Sequence, residues 1–447
     1  MIIKKLDTFI QKYTLPILII YGLIIRLVIF MNYSDDGIFK DSQNYIDLAT
    51  AISDFNLNGY TGERTPGFPT LIALCANSLK LTILFQSFLG ILNIILLYKY
   101  AYLRTKNKIT SFWIAFITTS FLNFLFFELA ILTETLTVTL MLLIFWYIEN
   151  FKLLDNDSKP KHLFILSLLF ASIYLTRPMF IYLPIGFFLF YIVKNASFGI
   201  KKTFLKAIIV LIIPFISFYS WCSLNERNIG YFTSTYYLGI NLSQTATFFF
   251  EKAPEKDKVI RDIFVKHRTY LEEQNQSGKY AMTVWHAYKE LLKETKLSPP
   301  DLSHELSKIS IDLFKKHPDL YVKQVAISWV NFWRSTSALL WHTSSFKSPL
   351  ANTIFSALWN YVQKPLLLLS NFLFLLFSLI KIITFKFKKF DSDLFLIAIV
   401  LSGSLAQALV AYGTNSRFCF PFFPLIIFFT ITNITNLKNR LGYNKIL

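Results

Sequence analysis

"GIFKDSQNYIDLATAISDFNLNGYTGERTPGFPTLIAL", residues 37–74, carries three Asp, one Glu, one Lys, one Arg and two Pro between two stretches greasy enough for a bilayer. Asp41, Tyr45, Leu48 and Ala49 recur at helical spacing, one face of a short helix that Asp41 would begin, where the helix N-terminus favours a carboxylate. After the turn-like "NLNGYTGER", the stretch "TPGFPTLIALCANSL" has proline placed to start a second helix, too short and too polar at its flanks to cross a membrane. The expectation is two short helices at a membrane surface, forming a shelf that bears Asp35, Asp36, Asp41, Glu63 and Arg64.

The rest of the chain supplies the membrane. With 447 residues, 54% hydrophobic and only 16% charged, it cannot bury its apolar surface in one soluble core. Apolar runs predict roughly ten spans, near 14–31, 80–100, 111–127, 134–149, 163–176, 179–193, 205–222, 352–380, 393–411 and 418–436. The first follows "MIIKK" but has no small-residue cleavage site, so it reads as an anchor rather than a signal peptide. If the N-terminus is cytoplasmic, the lysine-rich connections all fall inside, and the short outer turns hold essentially Arg177 and Arg417. This topology absorbs most of the formal charge of +18 and argues against nucleic acid as a partner, leaving membrane lipids as the ones those basic loops meet. Cys75, Cys222 and Cys419 lack metal or disulfide spacing.

These spans divide the chain into an N-terminal membrane module, residues 1–222, with the shelf in its first outer loop at 32–79. A largely helical outer domain follows at 223–350, then C-terminal membrane helices at 351–447. Helical patterns are expected near 254–275, 279–296, 301–316 and 319–334. The last, "DLYVKQVAISWVNFW", is amphipathic and aromatic, fitting either a bilayer surface or the packing of the outer domain.

Charged groups gather at the same end of the spans as the shelf. Glu128 and Glu134 sit at the outer ends of the third and fourth spans, Arg177 between the fifth and sixth, and Arg417 at the start of the tenth. Ionisable residues at such depth are costly unless paired or facing a cavity, which makes them site candidates. Each taken alone also fits an interface anchor or a helix-start carboxylate. Arg26, inside the first span, is expected to pair structurally, and His342, beside Trp341, could be structural or reach the outer face.

"KDSQNYIDLA", "ERTPGFPTLIAL", "LTETLTV", "LTRPMFIYLPI", "KKHPDLYVKQV" and "NSRFCFPFFPLIIF", in that order, resemble the GT-C glycosyltransferases that use polyprenyl-phosphate sugars, in particular the bacterial protein mannosyltransferase-like and aminoarabinose-transferase-like enzymes. The resemblance implies an all-α polytopic membrane fold of GT-C type and an inner-membrane location with the active site facing the periplasm or cell exterior. It also implies transfer of a hexose or pentose from a polyprenyl-phosphate donor to an envelope glycolipid, polymer or protein acceptor by one inverting displacement. Asp41 would then be the general base, Glu134 a second acid and Asp36 a substitute for either. Arg177, Arg417 and Arg64 would hold the phosphate, with Tyr45, Glu63 and His342 near the substrate. Oxygen ligands from Asp41 with Glu134 or Glu63 would suit magnesium or manganese, although no His or Cys spacing supports a metal. Relatives commonly carry Asp-Glu where this chain has Asp41-Ser42, one carboxylate fewer. A lipid-linked-sugar flippase or a membrane polysaccharide polymerase or ligase would also use buried charges, and both stay open on the residues alone.

Overall fold

The computed structural model of the protein describes residues 2–335, 343–385, 390–412, 416–440 and 442. Among these residues the chain is helical, with one isolated β-bridge, Tyr33 to Phe346. The first half comprises α1 (Ile2–Asn32), α2 (Ser42–Ser53), α3 (Gly67–Leu74), α4 (Leu79–Thr105), α5 (Lys108–Thr119), α6 (Leu122–Leu129), α7 (Glu134–Asn150), α8 (Pro160–Thr176), α9 (Tyr182–Asn195), α10 (Ile200–Ala207) and α11 (Ile209–Ile229). There follow α12 (Tyr237–Ala246), α13 (Lys258–Glu273), α14 (Thr283–Thr295), α15 (Pro299–Lys316) and α16 (Pro318–Arg334), then α17 (Pro349–Ala357), α18 (Lys364–Ile383), α19 (Ser392–Val410) and α20 (Phe423–Arg440).

All ten predicted spans fall on helices, but not all are straight or full length. Seven described helices are long and apolar enough to cross a membrane, and α5 with α6 makes an eighth if a bent pair counts as one. The expected span at 111–127 is that pair, bent by 55°. Its break is stabilised from far along the chain. The Gln363 side chain donates to the Ser120 carbonyl at 2.8 Å and accepts from the Leu122 N–H at 2.8 Å, pairing both backbone groups that the bend frees. The fourth and fifth spans are α7 and α8, 17 residues each.

The shelf forms as its pattern predicts, from α2 and α3, and it is bolted to the chain just before α7. Gly37 has φ +68°, and a Cβ there would collide with the Leu129 carbonyl. Its own carbonyl accepts from the Ile131 N–H at 2.8 Å. Ser42, fully buried, donates its hydroxyl to the Ile131 carbonyl at 2.9 Å and accepts from the Phe39 N–H at 2.9 Å. The first loop therefore has a fixed register against the segment that leads to Glu134.

The bundle core runs from Ile29 to Phe429, and a separate apolar cluster joins Tyr236, Ile240, Phe250, Phe264, Leu291 and Leu306 of α12 to α15 and the turns between them. The four helices predicted at 254–334 are present, and α12 is an additional one. The aromatic face of α16 packs on the bundle rather than lying free along a surface. Trp329 donates to Ser404 Oγ at 2.9 Å, Ser328 to the Ala411 carbonyl at 2.9 Å, and Trp333 stacks on Phe374. At the end of the bundle away from the shelf, Arg104 bridges Glu149 and Asp393 at 2.9 and 2.5 Å, clamping α4, α7 and α19.

Candidate active site

Five charged side chains from four parts of the chain converge where the shelf meets the bundle. Asp41 is the N-cap residue of α2, yet its carboxylate caps nothing. Instead it receives Arg64 Nη2 at 3.0 Å and Arg417 Nη1 at 2.7 Å on its two oxygens. Arg417 also donates through Nε to Glu134 Oε1, which further accepts from Arg177 Nη2 at 3.1 Å. Arg177 reaches the Arg417 carbonyl at 3.3 Å, closing the group.

Local structure explains each placement. Arg177 is the C-cap of α8, thrown outward by an extended backbone before Pro178, and Glu134 opens α7, where a carboxylate suits the helix N-terminus. Arg64 is held by aromatic rings and by its own backbone. Its guanidinium lies 4.7 Å from the Tyr45 ring centroid and 5.0 Å from that of Tyr237. The Tyr60 hydroxyl accepts from the Arg64 N–H and donates to the Arg64 carbonyl at 2.7 Å.

Burial grades the two acids differently. The Glu134 side chain is fully buried, whereas that of Asp41 is 41% exposed and is the acid that solvent or substrate can reach. Burial alone would raise the Asp41 carboxyl, but the Arg64 and Arg417 guanidiniums outweigh it and hold it below the ordinary carboxylate range. Three guanidiniums against two carboxylates leave the cluster with one net positive charge. Two buried polar atoms of the cluster, Glu134 Oε2 and Arg64 Nε, have no hydrogen-bond partner among the described residues.

Of the residues singled out in the sequence, Asp41, Glu134, Arg64, Arg177, Arg417 and Tyr45 are brought together. Asp36 is exposed and stands outside the network. Glu63 joins none of these ion pairs; its Oε1 accepts from the Tyr236 hydroxyl at 3.2 Å. Glu128 does not join the site either; it pairs with Arg26 at 2.5 Å inside the bundle, the structural role expected of Arg26. His342 lies outside the described residues. Asp41 and Glu134 share Arg417, and among the described residues no three His, Cys, Asp or Glu side chains cluster. Tyr237 and Tyr60 escape the sequence reading, because a tyrosine in "STYYLGINL" or "NLNGYTGER" carries no charge or period that marks it, and Ser42 stands there only as a missing carboxylate, not as the residue that fixes the loop.

No family model and no curated protein matches the chain. Solved structures do. The apo oligosaccharyltransferase of Archaeoglobus fulgidus is similar over 97% of this chain and 52% of its own, at 12% identity and a TM-score of 0.51. The oligosaccharyltransferase AglB from Archaeoglobus fulgidus, in complex with an inhibitory peptide and a dolichol-phosphate, is similar over 98% and 52%, at 12% identity and a TM-score of 0.50. ArnT from Cupriavidus metallidurans, bound to undecaprenyl phosphate, aligns over 93% and 78% at 12% identity, with a TM-score of 0.36 that adds nothing to the fold assignment. The chain spans about half the length of the archaeal enzyme it matches. Its fold is the GT-C membrane fold that the sequence motifs led one to expect.

Proposed function

We propose that this chain is a membrane glycosyltransferase that moves a sugar from a polyprenyl-phosphate carrier to an acceptor hydroxyl by a single inverting displacement. The observation that carries this reading is the convergence of Arg64 and Arg417 on one reachable carboxylate, Asp41, with Arg177 joined to them through Glu134, at the shelf end of a GT-C bundle. One net positive charge matches the single negative charge of a phosphodiester donor, and guanidinium groups suit phosphate through paired hydrogen bonds.

The acceptor oxygen forms its bond to the anomeric carbon as the bond from that carbon to the phosphate oxygen breaks. The acceptor's proton passes to Asp41, and the electron pair of the broken bond stays on the polyprenyl phosphate, where the arginines stabilise the added charge. A carboxylate held by two arginines is a weak base. The incoming phosphate competes for Arg64 and Arg417, and as their hold loosens the proton affinity of Asp41 rises. Glu134, buried and paired to both Arg177 and Arg417, keeps these cations together in the absence of donor.

The test is release of polyprenyl phosphate from labelled polyprenyl-phosphate sugars by protein reconstituted in liposomes. Asp41→Asn is expected to lower it by about 10²- to 10⁴-fold with helix content unchanged. Wild-type turnover by that variant would remove Asp41 as the base. Movement of the lipid-linked sugar across the liposome wall without transfer would replace the proposal by a flippase.

A further inference from the structure

A second charged region lies at the other end of the bundle. The α8 helix starts at Pro160 and reaches Arg177 only after 17 residues, about 25 Å of rise, so its first turn is remote from Asp41. Beside that first turn the chain leaves α9 through a tight turn and Gly199, at φ +102°, and forms the eight-residue α10 before α11 begins. At about 12 Å this helix cannot cross a bilayer.

Its sequence, "IKKTFLKA", sorts its sides. Thr203 and Ala207 are buried against the protein, whereas Ile200 and Leu205 are each 59% exposed and Phe204 is 44% exposed. Lys201 and Lys202 are exposed and take part in no ion pair among the described residues, and Lys206 donates to the Asn156 carbonyl at 2.5 Å. A short helix that buries Thr203 and Ala207 and exposes apolar side chains and lysines together on its remaining surface suits the plane of an interface. Lys201, Lys202 and Lys206 line a shallow recess with Ile200, Leu205 and Ile209. The surrounding connections, 151–161 and 194–207, hold seven lysines against two aspartates, and one of those, Asp155, is taken up by Lys194 at 2.7 Å.

We infer that this recess binds the headgroup of an anionic phospholipid of the leaflet opposite the active site. The lysines face its phosphodiester, and Ile200, Leu205 and Ile209 lie along the upper part of its acyl chains. Charge complementarity selects the occupant: the Lys201 and Lys202 ammonium groups, in no ion pair among the described residues, beside exposed aliphatic side chains suit a ligand with an anionic head and an apolar tail, and a free phosphate ion would use only half of that surface. The site is independent of the glycosyl-transfer proposal, since no residue is shared with the Asp41 cluster.

The test uses the full chain in nanodiscs of phosphatidylcholine, with and without a minority of phosphatidylglycerol. Lysine acetylation read by mass spectrometry should show Lys201, Lys202 and Lys206 protected by phosphatidylglycerol, with Lys289 and Lys293 of α14 unchanged. After detergent extraction, native mass spectrometry should show one retained phosphatidylglycerol. A surface lysine contributes roughly a five-fold factor to binding an anionic lipid, so K201A/K202A/K206A should retain it about ten-fold less or worse. Equal acetylation in the two kinds of disc, or equal retention of phosphatidylcholine, overturns the inference. So does the same protection by inorganic phosphate in discs of phosphatidylcholine alone. If the triple variant does not fold, the acetylation pattern of the wild type decides.

Discussion

Asp41 sits between two guanidiniums, and that position fixes how it titrates. A carboxyl held below the ordinary range is ionised at and above the usual Asp value near 4, and whatever its ion pairs add to stability is present above that value and lost as pH falls below it. The acidic limb of kcat/KM against pH is therefore expected below about pH 4, and Arg64→Gln should move it upward by removing one of the two cations. A limb that stays put in Arg64→Gln would show that Arg64 does not act on this acid. The charged members of the cluster are legible in the sequence because an Arg or Glu beside apolar spans is conspicuous and costly. The choice among the acids is not. Asp35, Asp36 and Asp41 lie within seven residues, and only the fold shows that Asp35 is turned toward Tyr33 and Ser345 while Asp41 meets the arginines.

At the scale of elements, α12 brings a side chain from beyond the first membrane module into the site. The Tyr237 ring, like that of Tyr45, packs on the Arg64 guanidinium, and its hydroxyl accepts from Asn44 Nδ2 at 2.8 Å, linking α12 to α2. Tyr237→Ala should raise the donor KM about five-fold, the worth of one partly desolvated cation–π contact, with a smaller change in kcat. Tyr237→Phe keeps the ring and should restore most of it. Equal loss in both variants would place the effect in the hydroxyl instead. Helix positions were readable from apolar periodicity and, in α3, from proline at the helix start. The bend between α5 and α6 was not, because the side chain that stabilises it, Gln363, is more than two hundred residues away in a segment that reads as one more membrane span. The place of α16 was likewise undecidable from its pattern, since an amphipathic aromatic face suits a lipid surface and a protein groove equally, and its partners Ser404 and Ala411 are distant in sequence.

Over the whole molecule, two apolar clusters share α16, and the arginine network ties the first loop to the turn before the last membrane helix, so the site exists only when the complete bundle is assembled. The order of the motifs made that architecture legible, whereas the count of full-length spans was not, because α7 and α8 keep the composition of a span without its length. That shortness reaches outward. The α8 helix turns Phe164, Ile165 and Leu168 outward, and at about 25 Å it falls short of the roughly 30 Å hydrocarbon layer. Local thinning is one relief of such a mismatch, and it would draw the phosphate plane down toward Arg177. Transfer rates measured in vesicles of stepwise longer acyl chains should accordingly fall once the layer exceeds what α8 can match, with bound donor falling in parallel. Acyl-chain length in the host bilayer would then act as a dial on how deeply the carrier must sink before its sugar comes within reach.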